Sequence, residues 1–137
     1  NSIGAYLAMN ALSDKQIEKA YFISPVVNMQ KLITDMMFWA NVTEDELRDK
    51  KEIKTSFGET LSWDYLCYVK ENPITWKIPT HILFGEKDNL TSYSTISEFA
   101  KQVNATLTVM KNGEHWFHTD EQMKFLDDWI NNLLDKS

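Results

Sequence analysis

Ile82-Leu83-Phe84-Gly85-Glu86-Lys87-Asp88 and Asn112-Gly113-Glu114-His115-Trp116-Phe117 anchor the stretch, residues 78 to 122, on which the reading of this chain turns. The first is an unbroken apolar run that stops on a glycine and delivers an aspartate into a loop. Such a run is the pattern of a strand covered on both faces. The second delivers a histidine just ahead of a helix start. An Asp and a His presented this way are two members of a nucleophilic relay. A candidate third, Ser2, stands in Asn1-Ser2-Ile3-Gly4.

Around these segments the pattern alternates. After the strand at residues 80 to 84, Thr91 or Ser92 can cap a helix whose Tyr93, Ile96, Phe99, Ala100 and Val103 fall at helical spacing, one face inward. Residues 105 to 110 read as the next strand, with Leu107 and Val109 on one side. Thr119-Asp120-Glu121-Gln122 has capping-box spacing and opens an amphipathic helix carrying Phe125, Leu126, Trp129, Ile130, Leu133 and Leu134. Toward the amino terminus, residues 2 to 12 are almost all apolar or small, which predicts a helix buried on most of its surface. Residues 19 to 24 form another short apolar run, ending at Pro25. Helix and strand in alternation predict an α/β fold, a short parallel sheet of about three strands flanked by helices.

Residues 26 to 76 break that rhythm. Three helices fit there: after Asn28 to about Ala40, after Thr43 with Glu46 in capping-box register, and from about Leu61 to Lys70. No strand pattern is visible, so the segment reads as an inserted helical lid. Its charge-dense stretch from Glu44 to Lys54 reads as a solvated helix face. Met36, Met37, Phe38, Trp39, Trp63, Tyr65 and Tyr68 read first as the lid's own small core, and second as an apolar pocket for an acyl or aromatic group.

The 137 residues are 43% hydrophobic and 12% aromatic, enough to bury a core and to argue against disorder. A net charge of -6 leaves no electrostatic footprint for nucleic acid or an anionic membrane. No apolar run approaches the ~20 residues of a membrane span. The single Cys67 excludes an internal disulfide and fits a reducing compartment. With no leader ahead of the first motif, a cytoplasmic location is expected. Asn41, Asn89 and Asn104 open Asn-x-Thr triplets, which are common by chance.

A serine hydroxyl becomes a useful nucleophile when a base removes its proton, and histidine suits the task near neutrality. A carboxylate on the far ring nitrogen sets the tautomer and stabilises the imidazolium. Asp88 and His115 each follow a strand, at the rim where open parallel sheets collect their ligands. Ser2 precedes a helix, whose first amides can donate to a developing oxyanion. Each residue also has a plain reading. Ser2 can be a helix cap, and Asp88 a strand-ending turn with Asn89. His81 reads as a hydrogen-bonded core residue and His118 as a surface or capping residue. His115 and His118 share an H-x-x-H spacing, but a metal site needs a third placed ligand.

The order Ser, Asp, His in these contexts resembles the C-terminal portion of an α/β-hydrolase, starting within the nucleophile elbow. Asn1-Ser2-Ile3-Gly4 matches the last four positions of G-x-S-x-G. Residues 78 to 88 resemble the strand that carries the acid, and residues 112 to 117 the histidine loop. The resemblance implies Ser2 as nucleophile, His115 as base, Asp88 as orienting acid and the Ile3 amide as an oxyanion donor. It implies a small-molecule carboxylic ester or thioester as substrate, an acyl-enzyme intermediate, and no cofactor or metal. Residues 1–137 then form the C-terminal part of the domain, with the lid at about 26–76. The elbow's first Gly and the strands before it lie outside the chain. Elbow strain persists only where surrounding structure enforces it, so weak or no activity is expected of the chain by itself. The alternatives are a truncated, non-catalytic fragment or binding module, and a peptidase or amidase using the same three residues. A strand at Tyr21 to Ser24 lacking a neighbour predicts self-association through an exposed sheet edge.

Overall fold

The elements run α1 (Ser2–Leu12), β1 (Ala20–Ile23), α2 (Met29–Trp39), α3 (Glu44–Lys50), β2 (Glu52–Lys54), β3 (Thr60–Ser62), α4 (Trp63–Glu71), β4 (Thr80–Gly85), α5 (Tyr93–Gln102), β5 (Thr106–Met110) and α6 (Asp120–Asp135) in a computed structural model that describes residues 1–136. Two compact units divide them: residues 1–27 with residue 75 onward, and residues 28–74.

In the first unit β1, β4 and β5 form a parallel sheet in the order β1-β4-β5, a short parallel sheet flanked by helices. The register pairs Ile23 with Leu83 and Gly85 with Met110. Strand period 2 therefore sends Tyr21, Ile23, Leu83 and Met110 to one face. There they meet Phe117 and the apolar stripe of α6, namely Phe125, Leu126, Trp129, Ile130 and Leu133. The central strand is the most buried: Ile82, Leu83 and Phe84 are almost wholly inaccessible. His81 stacks on Tyr21 and hydrogen-bonds Thr106 Oγ1 through Nδ1, half-buried on the sheet. Helices α5 and α6 start on Ser92 and Thr119, whose side chains accept from Thr95 N–H and Gln122 N–H.

Three expectations for this unit change. Helix α1 buries only Ala5, Tyr6 and Met9, whereas Ile3, Leu7 and Leu12 are exposed. It packs along one stripe against β1, and its apolar composition alone does not distinguish one covered side from two. Tyr93 stands exposed at the first position of α5, outside the stripe of Ile96, Phe99 and Ala100. Val109 and Leu134 are also exposed, at an edge strand and at the far end of α6.

In the second unit α2, α3 and α4 are capped by Asn28, Thr43 and Ser62, whose side chains each accept an N–H in the first turn. Met29, Leu32, Ile33, Met37, Leu47, Leu61, Leu66 and Val69 form its buried apolar set, so the plain reading holds for Met37. Phe38, Trp39, Tyr65 and Tyr68 instead lie exposed. Partial burial of its hydroxyl still pushes Tyr65 up from its usual range, and the neighbouring Tyr68 adds to it. The expectation of helices alone is wrong here. Strands β2 and β3 form an antiparallel hairpin, and residues 52 to 54 belong to it rather than to a solvated helix face. Its turn contains Gly58 at φ 88, a conformation glycine adopts without strain. Three-residue strands carry too few positions for an alternation to register.

Asn41 and Asn104 stand just past α2 and α5 at φ 55 and 56. Val42 N–H bonds back to Met37 O, and Ala105 N–H to Ala100 O. Both asparagines are thus left-handed helix terminators, which accounts for their presence without invoking a sequon.

Candidate active site

The carboxyl ends of the three parallel strands converge on one rim. From β4, the chain passes Gly85 and folds so that Asp88 N–H bonds Gly85 O at 3.0 Å. From β5, Asn112 at φ 61 turns the chain into the loop that carries His115. The two loops approach closely enough that a Cβ on Gly85 would lie 2.5 Å from the carbonyl oxygens of both Gly113 and Glu114. Only a glycine fits there. Glu86 N–H donates to Met110 O and Lys87 N–H to Gly113 O at 2.7 Å, locking one loop to the other.

On that rim Ser2, His115 and Asp88 form a hydrogen-bonded line. His115 Nδ1 is 2.7 Å from Asp88 Oδ2, and His115 Nε2 is 2.9 Å from Ser2 Oγ. A carboxylate can only accept, so Nδ1 carries the proton and Nε2 is left to accept from the serine hydroxyl. The Asp88 side chain is fully buried, and its other oxygen accepts from Leu90 N–H at 2.8 Å and Thr91 N–H at 3.0 Å. Both oxygens of that carboxylate face donors, three in all, which fixes its orientation. The imidazole is mostly buried, and both of its nitrogens are engaged within the line, so neither is open to a metal.

Ser2 has φ 52, the left-handed region that a non-glycine residue occupies at a cost. The Ser2 carbonyl accepts from Val26 N–H at 3.0 Å, and Ala5 N–H bonds Asn1 O. Ile3 belongs to the first turn of α1, whose amides have no intrahelical acceptor. Gly4 has open space where a Cβ would stand, so among the described residues its lack of a side chain is not enforced by contact.

His118 lies outside the line. Its Nδ1 donates to Trp116 O at 2.8 Å, its ring stacks on Trp116, and Glu114 Oε2 is 3.4 Å away. Gln122, buried at the start of α6, accepts from His118 N–H and donates to Glu114, tying the histidine loop to the helix. Among the described residues no three His, Cys, Asp or Glu side chains come together as a metal-binding group. Nor is any helix long and apolar enough to cross a membrane.

One member of the site was missed from the sequence. Ser24, wholly buried and at φ 48, donates its hydroxyl to the His115 carbonyl at 2.7 Å. Read as the last residue of an apolar strand, Ser24 carries no chemical signal. The one available cue is a small hydroxyl residue immediately after a parallel strand, at the rim where ligands collect.

No family model and no curated protein matches the chain. Solved structures do. Est1E from Butyrivibrio proteoclasticus superimposes with a TM-score of 0.77 at 16% identity, over 99% of this chain and 58% of that one. Alpha/beta hydrolase domain-containing protein 10 from mouse gives 0.69 at 16% identity, over 97% and 57%. The Pyrococcus furiosus esterase Pf2001 gives 0.56 at 20% identity, over 98% and 50%. The chain therefore spans little more than half the length of these similar structures.

Proposed function

Because the chain has the α/β-hydrolase fold, as part of the longer similar structures, we propose that it carries the catalytic machinery of a serine hydrolase acting on a carboxylic ester or thioester of a small molecule. The carrying observation is the line Ser2 Oγ, His115 Nε2, His115 Nδ1, Asp88 Oδ2, with contacts of 2.9 and 2.7 Å. Ser2 attacks the acyl carbon as His115 takes its proton at Nε2. His115 returns that proton to the departing alcohol or thiol. The acyl-enzyme is then cleaved by a water that the same nitrogen deprotonates, which restores the hydroxyl. Asp88 stabilises the imidazolium formed in each half, and the Ile3 amide donates to the oxyanion. The insertion at about residues 26–76, between β1 and β4 in the chain, takes the place of the fold's variable lid.

The esterase name of the Pyrococcus furiosus structure favours ester over amide substrates. A serine-directed fluorophosphonate probe tests the reading. Covalent labelling is expected in the wild-type protein and lost in Ser2→Ala. A wild-type protein that stays unlabelled while folded removes the hydrolase reading.

A further inference from the structure

We infer that the tripeptide Ser24-Pro25-Val26, at the carboxyl end of β1, is a clamp that sets the distance between nucleophile and base, with Ser24 as a positioning residue. The inference rests on the hydrolase reading for its catalytic meaning and on geometry for its existence.

The clamp has two jaws two residues apart. Ser24 Oγ–H holds the backbone carbonyl of His115 at 2.7 Å, and Val26 N–H holds the backbone carbonyl of Ser2 at 3.0 Å. Between them Pro25 is fully buried and has a restricted φ, which limits how far the jaws can drift apart. The clamp itself is fastened to the central strand, because Ser24 N–H donates to Leu83 O at 2.8 Å and extends the β1–β4 ladder by one bond. Ser2 and His115 come from opposite ends of the chain and share one direct bond, that between hydroxyl and imidazole. A single such contact orients two side chains poorly unless their backbones are held by something common.

The residue choice at position 24 supports this. A φ of 48 favours glycine, and asparagine or aspartate tolerate it. Serine gains nothing from that conformation, yet here it is wholly inaccessible and its hydroxyl is spent on the histidine loop. A residue needed only to turn the chain would not require that hydroxyl. Misplacing a catalytic group by about 1 Å can cost on the order of 100-fold in rate, so the clamp acts on turnover rather than on substrate affinity.

The test uses Ser24→Ala and Ser24→Gly in the full chain. Both remove the hydroxyl, and the glycine also relieves the backbone, so it guards against a variant that merely fails to fold. With an ester substrate that the wild type turns over, kcat is expected to fall by about 10- to 100-fold in both, with KM within about twofold. In proton NMR, the low-field signal of the His115 Nδ1 proton should broaden or vanish in both. Retention of kcat and of that signal in either variant overturns the clamp, since a glycine that restores activity shows backbone strain, not the hydroxyl, to be the cause. If the wild type takes no fluorophosphonate, the hydrolase reading fails separately. The His115 proton signal then decides the clamp alone, and an unchanged signal in the variants overturns it.

Discussion

Asp88 shows how much a single carboxylate is asked to do. One oxygen accepts two backbone amides, and the other accepts from the imidazole. In Asp88→Asn the amide oxygen would stay with Leu90 and Thr91, because those donors need an acceptor. The new NH2 would then face His115 Nδ1 and force that nitrogen to accept. The ring proton would move to Nε2, which could no longer take the serine proton. Ester hydrolysis is expected to fall by about 10⁴-fold with little change in KM, measured in steady-state kinetics, while thermal unfolding stays near that of wild type. Ser2, Asp88 and His115 were all visible as candidates in the sequence, because each sits in a local context that only chemistry or a turn explains. Ser24 was not. Its role consists of a contact to a backbone atom 91 positions away, and no local pattern encodes such a contact.

Loops at the ends of β4 and β5 are joined by backbone rather than by side chains. A side chain on Gly85 would run into the carbonyls of Gly113 and Glu114, and Lys87 N–H reaches Gly113 O. Gly85→Ala puts a methyl group into rigid main chain, where nothing flexible can give way. Stability is expected to fall by about 1–3 kcal/mol in denaturant unfolding, with ester hydrolysis lost in the fraction that remains folded. The strands, α5 and α6 were legible because apolar runs and caps are local signals, and Ser92 and Thr119 act as the caps their spacing indicates. The hairpin of β2 and β3 was not. Polar or charged residues flank a single apolar one in each strand, Ile53 and Leu61, and that pattern looks the same on a helix surface.

Taken whole, the sheet leaves β1 and β5 with one unpaired side each among the described residues, and α1 exposes Ile3, Leu7 and Leu12 beside β1. Unpaired strand edges and contiguous apolar surface both favour association. We expect the chain to self-associate, with a sedimentation coefficient that rises with concentration and falls back toward the monomer in Leu7→Lys. A single monomeric species at high concentration would count against it. Position along the chain hides this property, since covered and uncovered apolar residues have the same composition.

The bond between Ser2 and His115 joins residues 113 positions apart. Closing so long a loop has an entropic cost, and the closure is secured by the pairing of β1, β4 and β5 rather than by that bond. On the proposed reading, helices alone therefore leave the Ser2 hydroxyl unactivated, and its activation depends on the completed sheet.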